Sequence, residues 1–335
     1  MRTSKDARVL ARVALGTASA LLVTVSMAAG QGSSIPAEKK RPRNWTAPRT
    51  PWGDPDLQGY YNNTTENGTP LERPDEFAGR KLDEIQGPEL AKMRQDIERR
   101  TTERNHGPLN GPGWWENYLN LDRGSQAWFV VDPPDGRIPP QTSDAGRRAA
   151  ARDAVRQSRG SADSYEDRSL YDRCISRGIP GSMMPAIYGN SFQIIQSNGS
   201  VAILYEMIHE ARIIPLDPAP HVGGAIRQYM GDARGHWDGD TLVVDTINFR
   251  DNLAYRGSDG GSLRITERFT RISADMVKWS ITLDDPHTWT RPWTIALPLT
   301  RDNQPVPSYE CHEGNYALGH ILSAARADER AATQK

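Results

Sequence analysis

From Phe192 onward, apolar and polar residues alternate in short runs that are rich in β-branched and aromatic side chains. Alternation of this kind, interrupted by turn residues, is typical of β-strands. The strongest hairpin signals are Asn198-Gly199 and Asp238-Gly239. The pattern predicts eight strands, at 192–197, 201–216, 226–237, 241–249, 263–272, 277–285, 293–301 and 308–315.

Two stretches before this region have helical spacing. Apolar residues recur at intervals of three and four residues after Pro88, a residue that favours the first turn of a helix. This spacing predicts one helix at 88–104. A second helix is predicted at 143–157, where Thr142 or Ser143 can act as the N-cap.

Strand-like segments joined by short links predict a mainly β protein built on an antiparallel meander. Such a sheet either closes into a barrel or splits into a sandwich, and we favour a closed, lipocalin-like barrel with the helices packed outside it. We expect an extended arm at 31–79, one domain at 80–325 that includes a short strand at 127–132, and a flexible tail at 326–335.

The N-terminus has the charge and hydropathy pattern of an export signal. Four basic residues, the last of them Arg12, precede an apolar run that extends to Ala29. Small residues follow at an expected cleavage point between Ala28 and Gly30. We therefore expect residues 1–30 to be removed and the mature chain to be secreted or periplasmic. The run is short for a membrane anchor, and we expect no membrane span in the mature chain.

Charge and cysteine content narrow the functional classes. The chain has 41 Lys and Arg against 42 Asp and Glu; residues 1–30 hold four of the basic residues and one acidic residue, so the mature net charge is near −4. That balance does not favour nucleic acid as a partner. In an exported protein the two cysteines, Cys174 and Cys311, indicate a disulfide. A thiolate nucleophile or a metal ligand is the alternative.

Several stretches of the mature chain resemble an uncharacterised family of secreted bacterial proteins. They are PWGDPDLQG (51–59), TPLERP (69–74), VDPPDGRIPP (131–140), YDRCISRGIPGSMMP (171–185), EMIHEARIIPLD (206–217), GHWDGDTLVVDTINF (235–249), ERFTR (267–271), DDPHTWTRPW (284–293) and CHEGNY (311–316). The resemblance implies export and a single full-length domain. It implies no catalytic role for any residue.

The disulfide would bring four chemically active side chains together. Asp172 and Arg173 stand next to one cysteine, and His312 and Glu313 stand next to the other. A disulfide holds its α-carbons about 5.5–6 Å apart, so these four residues are the first catalytic candidates. The alternative is an ion-pair network that ties the ends of the chain to the barrel.

The predicted strand at 201–216 contains three more candidates. Strand alternation places His209 on one face and Glu206 with Arg212 on the other. His209 is a candidate general base inside the barrel, or a core histidine with a structural hydrogen bond. Glu206 and Arg212 are candidate ligand-binding residues, or an exposed salt bridge.

Glu267 and Trp279 lie on neighbouring predicted strands. Glu267 falls on the apolar face of its strand, where burial would raise the pKa of its carboxyl and suit it to general acid–base catalysis. A partner arginine, either Arg212 or Arg291, would instead make it structural. Trp279 is a candidate ligand contact.

Four residues complete the ligand-binding candidates. The GHWDGDTLVV turn, with His236 and Trp237, looks like the hairpins of small ligand-binding β-barrels. Asp285 stands at the end of one predicted strand, and Arg291 stands just before the start of the next. No HExxH, paired CxxC, Gly-x-Ser-x-Gly, phosphate-loop or dinucleotide pattern occurs. We therefore expect no cofactor and assign no metal ligand, although scattered histidines leave a metal-dependent hydrolase as an alternative.

These candidates favour a secreted, cofactor-independent acid–base enzyme, of the hydrolase, lyase or isomerase kind, that acts on a small organic molecule in the mouth of the barrel. A histidine and a carboxylate would move the proton, and an arginine would stabilise developing negative charge. The alternatives are a non-catalytic carrier or sensor of an apolar or sugar-like ligand, and a surface interaction protein.

Overall fold

The fold is taken from a computed structural model. The structure describes residues 45–105, 124–186, 188–251 and 255–334, with side chains only up to residue 100 in the first range. The predicted signal peptide at 1–30 lies outside the described residues, as does the first part of the predicted arm. No helix in the described ranges is long and apolar enough to cross a membrane.

The protein is mainly β, and within the described ranges ten antiparallel strands form one sheet. The strands are β1 (Gly59–Asn62), β2 (Val130–Asp132), β3 (Ser191–Ser197), β4 (Ser200–Tyr205), β5 (Ala211–Pro215), β6 (Asp232–Asp238), β7 (Thr241–Ile247), β8 (Arg264–Ser273), β9 (Met276–Asp284) and β10 (Trp293–Asp302). Their hydrogen-bonded order is β5-β4-β3-β1-β10-β9-β8-β7-β6, and β2 also pairs with β10.

The two predicted hairpin turns are confirmed. β3 and β4 are joined at Asn198-Gly199, and β6 and β7 are joined just after Asp238. Gly199 and Gly239 have φ angles of 96° and 59°. Glycine adopts these angles without the steric cost that a side chain would add, which explains why both signals are reliable.

The sheet is not closed into a barrel, so the closed-barrel prediction is wrong. The edge strands β5 and β6 approach each other, but no backbone ladder joins them in the described residues. We call this junction the seam. Pro215 at the end of β5 has no N–H to donate, which suits β5 to an edge position. The strands meet through side chains instead: a Cβ on Gly235 would lie 2.8 Å from Leu216 and 2.9 Å from Ile214.

Three predicted strands need correction. The segment at 201–216 is broken, because Ile208 and His209 have φ angles of 62° and 53° and form a turn between β4 and β5. Only the last part of 226–237 is a strand. The first part belongs to the long connection between β5 and β6. The segment at 308–315 forms turns and irregular backbone rather than a strand.

The helices are α1 (Gly87–Asn105), α2 (Ser143–Gln157) and α3 (Ala317–Thr333). The first two match the predicted helices, and Thr142 caps α2 by accepting a hydrogen bond from the Ala145 N–H at 3.1 Å. Neither α3, part of which falls in the predicted tail, nor the four-residue strand β1 was predicted. Helix α3 has no buried residue.

The core lies inside the curled sheet. Its largest fully buried side chains are those of Trp279, Trp293, Tyr61, Tyr205, Phe192, Phe249 and Phe269. A smaller cluster, built on Phe77, Ile85, Met93 and Trp128, packs α1 on the body. The turn between β4 and β5 lies at one end of this core, beside Tyr205.

We expect Gly235→Ala to loosen the seam. The added methyl would contact Ile214 and Leu216 at less than 3 Å, and overpacking of this kind costs about 1–3 kcal/mol of unfolding free energy. Gly223→Ala is the matched control, because nothing lies within 4 Å of its Cβ position and the change should stay within about 0.5 kcal/mol. Urea unfolding measures both, and equal stabilities would contradict side-chain contact at the seam.

Candidate functional site

The disulfide between Cys174 and Cys311 is present, with the α-carbons 5.8 Å apart. It does not join the four catalytic candidates beside it. Asp172 forms an ion pair with Arg168 at 3.2 Å, and the Arg173 guanidinium lies 5.0 Å from the centre of the Tyr165 ring.

His312 and Glu313 are exposed. No hydrogen bond or ion pair between the described side chains connects either of them to Asp172 or Arg173. The bridge therefore holds the two segments together without forming an acid–base group from these four residues.

The remaining histidine and tryptophan candidates lie apart from one another. His209 is exposed on the turn between β4 and β5, and not inside the sheet as expected. His236 is exposed on β6, whereas Trp237 is half-buried at the edge of the core. Glu206 accepts a hydrogen bond from the Ser191 N–H at 3.1 Å, so it fastens the turn to β3.

Glu267 and Arg212 form a buried ion pair at 2.5 Å. Their side chains are 0% and 3% exposed. Trp279 donates a hydrogen bond from Nε1 to the other carboxylate oxygen of Glu267 at 3.0 Å. Burial lowers the pKa of Arg212, but the Glu267 carboxylate and the Tyr205 hydroxyl together outweigh that effect and raise it. Of the two arginines considered as partners, Arg212 is the partner, and Arg291 instead pairs with Asp132 at 3.3 Å.

Some polar atoms of this pair and of its neighbour Tyr205 have no well-formed hydrogen bond. Nε and Nη2 of Arg212 and the Tyr205 hydroxyl are buried without a partner of good geometry among the described residues, although the hydroxyl interacts with the Arg212 guanidinium. Burial raises the pKa of Tyr205; the Arg212 charge opposes this rise, and the carboxylates of Glu267 and Glu210 add to it. Unpaired buried donors are costly, and they suit a group that brings acceptor oxygens.

The turn between β4 and β5 is strained. Ile208 and His209 are consecutive non-glycine residues with positive φ. A β-branched residue in this region is a true outlier, and such strain persists only where the surrounding structure enforces it. Strained backbone of this kind concentrates at functional sites, and here it sets the direction of the next residue, Glu210.

Glu210 is half-buried and is held by hydrogen bonds. Its Oε2 accepts from the Ser176 hydroxyl at 2.7 Å, and the Arg177 N–H also donates to it. Burial raises the pKa of Glu210, although these hydrogen bonds and the Arg212 charge partly offset the rise. Among the described carboxyl groups with a shifted pKa, Glu210 is the one whose pKa is raised.

We define the Glu210 site as Ser176, Tyr205, Glu210, Arg212 and Glu267. Sequence reasoning found Arg212 and Glu267 but missed Ser176 and the role of Glu210. Ser176 falls in the stretch 171–185 and Glu210 in the stretch 206–217. The contact between those stretches depends on the turn at 206–210, which strand alternation cannot reveal.

A second polar cluster lies at the ends of β8 and β9. Asp285, 1% exposed, accepts hydrogen bonds from the Ser262 hydroxyl, the Asp259 N–H and the His287 N–H. His287 pairs with Asp259 at 3.0 Å, which raises the pKa of His287 and lowers the pKa of Asp259. The His287 side chain is 60% exposed. Asp285 therefore holds a loop together and does not itself face a ligand.

No group of three or more His, Cys, Asp or Glu side chains suited to a metal ion occurs among the residues that the structure describes. The Glu210 site itself has two carboxylates and no imidazole, and one of the carboxylates is already paired with arginine. This donor set does not fit a divalent metal centre.

No protein-family model matches the chain, and no curated protein matches it. Among solved structures, a crystal structure of a mutant of the fluorescent protein UnaG is similar, with 13% identity over 43% of this chain and 90% of that chain and a TM-score of 0.22. A TM-score at this level does not establish a shared fold.

We expect Arg212→Met to destabilise the protein by about 3–5 kcal/mol, because it leaves the Glu267 carboxylate buried and unpaired. The double variant Arg212→Met/Glu267→Gln removes that charge and keeps an acceptor for Trp279, so it should recover most of the loss. Urea unfolding of both variants measures the difference. A double variant no more stable than the single one would show that the pair is not the source of the effect.

Proposed function

We propose that this protein is an acid–base enzyme that transfers a proton to or from a small organic molecule, with Glu210 as the proton-transfer group. The observation that carries the proposal is a half-buried carboxyl with a raised pKa next to a strained turn. Perturbed carboxyl groups in such settings are concentrated at functional sites. A raised pKa brings a carboxyl closer to the pH at which it can both accept and donate a proton.

The neighbours of Glu210 support this role. The Ser176 hydroxyl and the Arg177 N–H orient the carboxylate, as a base must be oriented to act on one proton of a substrate. Ser176 is itself 0% exposed and also accepts a hydrogen bond from the Gly178 N–H at 3.0 Å. We therefore assign Ser176 as a positioning residue.

Arg212 and Tyr205 supply the electrostatic part of the proposal. Beyond their contact with each other, two nitrogen donors of Arg212 and the Tyr205 hydroxyl have no partner of good geometry among the described residues. Fixed donors in a site with little water stabilise negative charge that develops during a reaction. We propose that they interact with an oxygen of the substrate that gains charge as Glu210 removes a proton. Export and membership of the secreted family remain part of the same proposal.

A carrier of an anionic small molecule is the second candidate. The same unpaired donors favour it, because they would bind a carboxylate without any chemistry. The two functions differ in their dependence on Glu210, which a carrier does not need as a proton acceptor.

We expect the protein to open the ring of 5-nitrobenzisoxazole, a general probe of carboxylate bases. In this reaction the base removes the ring C–H proton, the N–O bond breaks, and its electron pair remains on oxygen as a coloured cyanophenolate. Glu210→Gln should lower the rate about 10²-fold, within the range that general bases contribute. Glu166→Gln, at an exposed position, is the control and should keep the wild-type rate. The acid–base function would be contradicted if the wild type opened the ring no faster than buffer does, or if Glu210→Gln kept the wild-type rate.

The raised pKa also has a consequence for stability. Because the folded-state pKa of Glu210 lies above its ordinary value of 4.5, its contribution is fully present below pH 4.5 and is lost as the pH rises through the folded-state pKa. We expect Glu210→Gln to gain stability relative to the wild type across that window and to show a constant difference above it. Denaturant unfolding at a series of pH values measures this, with Glu166→Gln as reference. If the difference in stability between Glu210→Gln and the wild type did not change with pH, the pKa of Glu210 would not be raised in the folded protein.

A further inference from the structure

Three tyrosine hydroxyls meet beside the disulfide. The Tyr171 hydroxyl lies 3.2 Å from that of Tyr188 and 3.4 Å from that of Tyr309. We call these residues the tyrosine trio. Within the described residues the three hydroxyls form hydrogen bonds only with one another, and no carbonyl or carboxylate accepts from them. The Tyr171 oxygen therefore lies within hydrogen-bonding distance of both other phenol oxygens.

Different constraints hold each member of the trio in place. Tyr171 and Tyr309 are three and two residues before the two cysteines of the disulfide, which joins parts of the chain separated by 137 residues. Tyr188 precedes Gly189, which has a φ of 79° and packs against Met207 so closely that a Cβ would lie 1.9 Å from the sulfur. The trio is therefore a built arrangement and not a chance contact of mobile side chains.

The surroundings of the trio combine access with positive charge. Tyr188 is 48% exposed, whereas Tyr171 and Tyr309 are partly buried. The Arg177 guanidinium lies 5.3 Å from the centre of the Tyr171 ring. A cation over a tyrosine ring is favourable.

We propose that the tyrosine trio binds a trivalent hard metal ion, ferric iron, through three phenolate oxygens. Metal–oxygen bonds of about 2.0 Å place neighbouring ligands of an octahedral or tetrahedral site about 2.8–3.3 Å apart, close to the two separations from the Tyr171 oxygen, 3.2 and 3.4 Å. Each tyrosine releases its proton to solvent when it binds, so three phenolates balance the charge of the ion.

The donor set decides between metals. Soft ions prefer thiolates, and both cysteines are oxidised in the disulfide. The trio contains neither imidazole nor carboxylate, the usual ligands of zinc and calcium, whereas tyrosine is an established iron ligand. The remaining positions would be filled by water or by an anion near Arg177.

The test is a titration of the full mature chain with ferric nitrilotriacetate, followed by visible absorption. Iron(III) bound to tyrosinate gives a phenolate-to-metal charge-transfer band, and we expect this band to saturate at one equivalent. Tyr171→Phe should abolish it, and Tyr188→Phe and Tyr309→Phe should each weaken binding at least about tenfold. Tyr165→Phe is the matched control, because Tyr165 is 51% exposed, contacts Arg173 and is not in the trio.

Thermal unfolding of each variant checks folding, since the change to phenylalanine removes one oxygen and keeps the ring. If Tyr171→Phe does not fold, the charge-transfer band of Tyr188→Phe provides the test, because Tyr188 is the more exposed residue. The absence of a band in the wild type, or an equal band in Tyr188→Phe, would overturn the proposal. This readout does not depend on Glu210, so the iron site and the acid–base function can fail separately.

Discussion

The ion pair between Arg212 and Glu267 is the constraint on which the interior of the sheet depends. Two charges removed from water are tolerated only when each compensates the other. The partners come from β5, an edge strand, and from β8, near the opposite edge. Because β5 has a backbone ladder with β4 alone, the pair adds a side-chain contact that links β5 to β8 across the interior, and side chains around Gly235 fill the seam.

The same pair determines the setting of the Glu210 site. Arg212 points into the core as β5 begins, so Glu210, two residues earlier, lies at the end of that core and not on the outer surface. The positive φ angles of Ile208 and His209 turn the chain towards Ser176. Burial and strain therefore act on one carboxyl, which keeps a raised pKa at the boundary between the apolar interior and solvent.

Local patterns in the sequence predict those parts of the fold that local physics determines. Helix α2 follows from its spacing and the Thr142 cap, and the apolar alternation of β8 places Glu267 in the core. Closure of the sheet could not be predicted, since it depends on whether two edges distant in sequence share a ladder. The disulfide was predicted, but it brings together tyrosines, Tyr171 and Tyr309, and not the acid–base residues expected there. Residues next to a cysteine are fixed in position along the chain, whereas the direction of their side chains depends on tertiary packing.

Amide hydrogen exchange tests the role of the ion pair most directly, because exchange reports local opening strand by strand. The comparison is between the wild type and Glu267→Gln, with β3 (Ser191–Ser197) as the internal reference, since it is hydrogen-bonded on both sides. The account predicts faster exchange in β5, at Arg212 and Ile214, and little change in β3. Equal acceleration in both strands, or no change in β5, would contradict it.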